Sequence, residues 1–273
     1  MSTYDDNQWA TPNIDVDTFN PTGLDISQWM TAIATSGAKY ATLTVKHHDG
    51  FSLYPTAHYS PGYDPYSIAQ TAWYAANGSP DIVDLFVTAC RANNIIPCFY
   101  FSFWDRTFEA RTGAAVTGDA GYLNLVETQL RELLTNYGQI GAIWIDAYTG
   151  RALTVYIPYA HIYNFIKSIQ PNCMIVHNEH VFPPNASQVV VYEVPVHGNV
   201  PEGNTSPAEE SDTVDQGGAW FYPSAGVTLK TASTIQASII QANSRNAAYH
   251  LNFSPNTVGI IPEDQVTLLG QIP

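Results

Sequence analysis

Apolar positions in this chain alternate between two rhythms, one of about 3.6 residues and one of short unbroken runs. Trp29, Ile33 and Ser36 fall on one helical face, Asp25 and Gln28 form a capping pair, and Gly37 supplies a stop, which predicts a helix over 26–36. The β-branched run Tyr40, Ala41, Thr42, Leu43, Thr44, Val45 then predicts a strand over 40–46. Ser79 and Pro80 open a second helix with Ile82, Phe86, Ala89 and Cys90 on one face, followed by a buried strand over 95–101. A helix from about 120 to 137, stopped by Gly138, leads to a strand over 142–145, and a helix over 156–169 leads to a strand over 174–176.

Beyond that point the rhythm loosens. Strands are expected at 189–192, 219–221 and 248–251, helices only at 231–246 and 263–270, and 194–218 reads as the longest loop. Seven strands interleaved with helices predict one α/β domain over 1–273, a (β/α)8-like TIM barrel that is irregular and incomplete.

Composition narrows the partners. Lys and Arg number 10 against 24 Asp and Glu, so the chain lacks the clustered cations that nucleic acid or an anionic membrane requires. No apolar run reaches membrane-spanning length, and 1–9 does not read as a signal peptide. The 17 Tyr and 6 Trp offer flat amphipathic surfaces suited to sugars, although most such rings serve a core. Cys90, Cys98 and Cys173 have no metal spacing and are expected as buried thiols. The abundance of Asn, Thr, Ser, Gly and Tyr with few Lys leans towards an extracellular or virion-surface setting.

Barrel enzymes take their chemistry from strand carboxyl ends. Past the expected strands stand His47, His48 and Asp49, then Ser102, Asp146, the group His177, Asn178, Glu179, and Glu193. Asp146 and Glu193 converge from the third and fifth strands, the minimum equipment for glycosidic cleavage, although a lone acid after a strand more often caps a helix. Adjacent residues on a strand face opposite ways, so His47 and His48 are not expected to share a metal ion, and no Gly-x-Ser-x-Gly elbow suggests a serine nucleophile.

The segment Lys46-His47-His48-Asp49-Gly50-Phe51 resembles the signature of the retaining α-L-fucosidase family, and further likenesses follow in the family's order. They are Trp144-Ile145-Asp146, Asn178-Glu179-His180, Tyr192-Glu193, Pro207-Ala208-Glu209, Gly218-Ala219-Trp220-Phe221-Tyr222 and Leu251-Asn252-Phe253-Ser254-Pro255. The resemblance implies Asp146 as nucleophile and Glu193 as acid/base, with Glu179 and Glu209 as rivals for the second role. It implies sugar contacts at His47, His48, Tyr100 and Trp220, with His180 and Trp9 in the same set, and no metal or cofactor.

The expected activity is cleavage of α-L-fucosyl linkages in a glycan or polysaccharide. An endo-acting depolymerase of a fucosylated polysaccharide and an impaired carbohydrate-binding domain on the same scaffold are the alternatives. Two departures stand out: Glu179-His180 replaces the family's Asp-Arg, and nothing before Phe19 resembles the family's first barrel strand. The strands at 40–46 and 248–253 are therefore expected either to draw together or to be bridged by a segment outside the chain, with a more open sugar site on that side.

Overall fold

The computed structural model describes residues 9–57, 64–113, 120–147, 159–178 and 188–272. The elements in order are α1 (Ile26–Thr35), β1 (Tyr40–Lys46), α2 (Ala72–Ala76), α3 (Ile82–Ala92), β2 (Ile96–Ser102), α4 (Arg106–Thr112), α5 (Ala120–Thr135), β3 (Ala142–Asp146), α6 (Tyr159–Ile169), β4 (Met174–His177), β5 (Val189–Glu193), α7 (Val194–His197), β6 (Ala208–Thr213), α8 (Ala232–Ser244), β7 (Ala247–Asn252) and α9 (Glu263–Leu269). All seven strands join one parallel sheet in the order β1 to β7, which curls into an incomplete α/β barrel.

Local chemistry sets the boundaries. The Asp25 carboxylate accepts from the backbone N–H of Ser27 and Gln28, as the capping pair predicts, and α3 takes its cap from Asp81 rather than from Ser79. Both faces of the sheet are apolar, as parallel strands covered by crossover helices require. Ala41, Leu43, Phe99, Phe101, Ile143, Ile145 and Ile175 pack outward against the helices. Cys98, Ala142, Trp144, Val176 and Val191 fill the inside. Cys90, Cys98 and Cys173 are free and buried, and burial pushes their thiols up to about 12, 12 and 11.

The sixth strand is a correction. It runs over Ala208–Thr213, inside the expected loop, whereas 219–221 forms no strand. Its sequence, Ala-Glu-Glu-Ser-Asp-Thr, is polar, yet every residue is buried. Each acid has its own partners: Glu209 faces Tyr40, Trp144 and His250, Glu210 accepts from Val200 N–H and Asn199, and Asp212 from Lys230 and Tyr249. Hydrogen bonds and charge here replace apolar packing, so an apolar-run rule misses the strand.

Among the described residues β1 and β7 do not pair. Between them lies a cavity of about 620 Å³ lined by both strands, with Phe19, Trp220 and Phe221 at its margins. The curl still brings the two edges into reach, since the Tyr40 and His250 rings lie 5.6 Å apart. Residues 9–20 do not enter the slot as a strand. They run towards the β1 and β2 loops, where Asn13 N–H donates to Thr107 and Ile14 C=O accepts from Tyr66.

Candidate active site

The signature after β1 is built from the sheet outward. The β1–β2 register slips between Thr44 and Lys46, a bulge of the sort that re-aims side chains at barrel rims. Lys46 thereby turns outward and is wholly buried, 4.3 Å over the Phe101 ring, 3.7 Å from Asp105 and donating to Gln129. Burial pulls its ammonium down, and Asp105 partly offsets this. Asp49 Oδ1 accepts from Phe51 N–H, fixing the turn in which Gly50 takes a left-handed conformation beside the Asp105 carboxylate.

His47 and His48 sit past the end of β1, where the strand's alternation no longer applies. Contrary to the expected divergence, their rings lie 4.0 Å apart on the same side. His48 Nδ1 meets Ser102 Oγ at 2.7 Å, and its Nε2 is 3.7 Å from Asp146. Half-buried His47 stacks on Tyr100 at 5.6 Å and meets the Phe221 ring edge-on at 4.7 Å. Burial first, then the neighbouring His48, hold the His47 imidazole well below its usual range, so it is neutral near pH 7.

Asp146 ends β3 and faces Ser102 across the β2 ladder. Ala147 behind it takes a left-handed φ of 57° and returns its N–H to Asp146 Oδ1 at 2.7 Å. The Tyr100 hydroxyl donates to Asp146 Oδ2. Burial and then the Asp146 charge keep that phenol far from ionisation. Glu193 ends β5, and the Asn178 side-chain amide, just past β4, bridges the two acids. Its Nδ2 donates to Asp146 Oδ1 and to Glu193 Oε1, both at 2.9 Å. Two acceptor oxygens that each lie 2.9 Å from one nitrogen are at most about 6 Å apart, which keeps the two carboxylates as close as a retaining pair requires. Burial and then the Asp146 charge raise the Glu193 carboxyl to about 7, with Asn178 drawing it the other way. Glu193 is therefore partly protonated near neutrality beside the Asp146 carboxylate, a pairing of unlike carboxyl groups that suits acid–base chemistry.

Below the rim a stack of rings supports Asp146. Tyr100 lies on Trp144 at 5.1 Å, and Trp144 Nε1–H donates to Glu209 at 2.7 Å. Glu209 also accepts from Tyr40 at 2.8 Å and pairs with His250 at 2.9 Å. Its oxygens are thus engaged beneath the rim, which places it away from the Asp146–Asn178–Glu193 group. Trp220 lines the cavity between β1 and β7, and its C=O is held by Asn252 and Ser254. Trp9 is 61% exposed, with its ring 6.2 Å from His48 and 6.4 Å from Trp104. His180 and Glu179 lie outside the described residues.

Donor atoms of His47, His48 and Asp146 come within 4.8 Å of one another, close enough for one cation. Ser102 and Tyr100 already engage two of those groups, so hydrogen bonding accounts for the cluster. Sequence reasoning did not single out Trp104 or the bridging role of Asn178. Trp104 falls two residues past a strand end, a place worth inspecting, whereas the bridge depends on three strand ends meeting and leaves no signal in spacing.

A family model described as Alpha-L-fucosidase matches residues 2–273. The Arabidopsis thaliana protein Alpha-L-fucosidase 1 is 28% identical over 290 residues, covering 98% of this chain and 54% of its own length. A crystal structure of a glycoside hydrolase 29 family member from an unknown rumen bacterium superposes with a TM-score of 0.82 at 27% identity, covering 99% of this chain and 52% of that one. Alpha-L-fucosidase isoenzyme 1 from Paenibacillus thiaminolyticus shares the fold, with a TM-score of 0.76 at 24% identity over 94% of this chain and 64% of its own. The chain thus spans about half the length of the first two relatives. The acids at the ends of β3 and β5, the histidines past β1 and a match that runs almost end to end agree: the chain belongs to the alpha-L-fucosidase family.

Proposed function

We propose that the chain carries the catalytic face of a retaining α-L-fucosidase that cleaves α-L-fucosyl linkages in a glycan or polysaccharide. The observation behind this is the single amide shared by Asp146 and Glu193, with Glu193 raised to about 7. Asp146 attacks the anomeric carbon and forms a glycosyl ester while Glu193 gives its proton to the departing oxygen. Glu193, now ionised, takes a proton from water, which opens the ester and returns the sugar with its configuration retained. Tyr100 and His48 hold Asp146, and neutral His47, half-buried beside them, offers one donor and one acceptor nitrogen to sugar hydroxyls. Trp220 and Trp9 offer apolar faces, Trp220 to the C5 methyl of fucose. His180 belongs to the same reading without a described position.

Asp146→Asn tests this directly. Turnover of an aryl α-L-fucoside should fall at least about a thousandfold with unchanged thermal melting. Turnover close to that of the parent would remove Asp146 from the role.

A second reading rests on the slot beside β1. Because the cavity there reaches His47 and Trp220, an open cleft would admit a fucosylated chain from the side and allow internal cleavage. Free fucose as the sole product favours the first reading, and a series of oligosaccharides favours the second. In the first reading a strand supplied by a further segment fills the slot and walls the site on that side.

A further inference from the structure

The amide of Asn178 touches both acids at once. It is 5% exposed, and its place is fixed by the backbone, since its own N–H continues the β3–β4 ladder by donating to Ile145 C=O at 3.0 Å. The side chain therefore projects from a sheet position rather than from a loop. Nδ2 has two hydrogens to offer, and it lies 2.9 Å from an oxygen of each carboxylate.

We propose that Asn178 is a positioning residue that sets the spacing of Asp146 and Glu193 and engages Oε1 of Glu193 as an acceptor, leaving the working proton to Oε2. The inference rests on the fucosidase reading above and adds to it a third residue acting through the two acids. Its physical content is twofold. Two carboxylates at this separation repel, and a donor shared between them offsets that repulsion without introducing a full charge. Rigid bonds to one oxygen of each acid also define which oxygen faces the substrate, and a misplacement of about 1 Å in such a pair costs about a hundredfold in rate.

The bridge also serves both halves of the reaction. While Asp146 is ionised, its charge keeps the proton on Glu193. Once Asp146 is esterified that charge is gone, and the bond from Asn178 to Oε1 favours the ionised Glu193 that water activation requires. Titratable groups beside the pair include Tyr100 from β2 and, past β1, His48 and His47, whose ring nitrogens come within 4.8 Å of Asp146. Removal of Asn178 should therefore be read at Glu193, whose carboxyl the Asn178 bond draws down.

The test compares Asn178→Leu, similar in volume without donors, with Asn178→Ser, which retains one donor and can serve one acid at a time. Isotope-edited infrared titration of the carboxyl groups, with Glu193→Gln to assign the band, reads Glu193 without any substrate. The Glu193 titration should move up from about 7 in Asn178→Leu and part of the way in Asn178→Ser. The alkaline limb of kcat/KM should move with it, and kcat/KM should fall about a hundredfold in Asn178→Leu. If Asn178→Leu fails to fold, Asn178→Ser carries the comparison. An unmoved titration, or lost activity with an unmoved alkaline limb, overturns the assignment whether or not the chain hydrolyses fucosides. A moved titration in a chain inactive on every fucoside supports the assignment and counts instead against the reading beneath it.

Discussion

The backbone at Gly50 turns through φ of +85°, and a Cβ there would fall on the Asp105 carboxylate, which caps α4 and faces Lys46. Gly50→Ala should cost more than about 2 kcal/mol, read as a fall in melting temperature, because both the left-handed turn and the buried carboxylate must shift. A variant that melts with the parent would show that the turn relaxes freely. Glu193 gives a kinetic prediction. Since the acid must be protonated for the first step, kcat/KM should decline above about pH 7, and Glu193→Gln should abolish that limb. Glu193→Ala should harm a natural glycan more than an activated aryl fucoside, and azide should rescue the second step; equal losses without azide rescue would move the role to Glu179, since Glu209 is engaged elsewhere. At this scale the sequence was legible wherever a polar residue follows an apolar run, as at His47, Asp146 and Glu193. It was illegible at Asn178, whose meaning comes from residues 32 and 15 positions away.

Among elements, β6 is the instructive one. The strands that announce themselves, such as β2 and β3, are apolar because both faces meet other apolar groups. β6 instead carries Glu209, Glu210 and Asp212 into burial and matches each with donors from other elements. Burial pushes Glu209 up, but His250 and the bonds from Trp144 and Tyr40 outweigh it and hold the carboxyl below its usual 4.5. Burial likewise pulls His250 down, and Glu209 outweighs it, holding the imidazole above its usual 6.5. The lowered carboxyl contributes stability that is present above 4.5 and lost as pH falls through its folded value. The raised imidazole contributes stability that is present below 6.5 and lost as pH rises through its folded value. Between those two values both contributions stand. Glu209→Gln should therefore lower the melting temperature most in that window and less at pH 9. A deficit of equal size at every pH would mean that the pair is not charged in the fold.

For the whole molecule, the open side matters most. Among the described residues β1 and β7 each have one neighbouring strand in the sheet, so their amides should exchange faster with deuterium than those of β3 and β4, by a margin that hydrogen-exchange mass spectrometry resolves. Equal protection across all seven strands would mean that the slot is closed in solution. Seven parallel strands and the unpaired gap were legible from the alternation of runs and from the absence of an apolar stretch before Phe19, because a central barrel strand cannot be polar without partners. The position of the sixth strand was not legible, for the reason that β6 gives.

The strict β1 to β7 order has a consequence for how the molecule forms. Each ladder joins a strand to the next one in sequence, so every added strand finds its template already in place and closes only one crossover. Assembly can then advance along the chain from its N-terminal side during synthesis, with no distant pairing to wait for. The contacts of His250 on β7 with Tyr40 and Glu209 should then form last and report that the curl is complete. A fluorescence signal from Trp144, which shares Glu209 with Tyr40, should accordingly appear in the slowest phase of refolding.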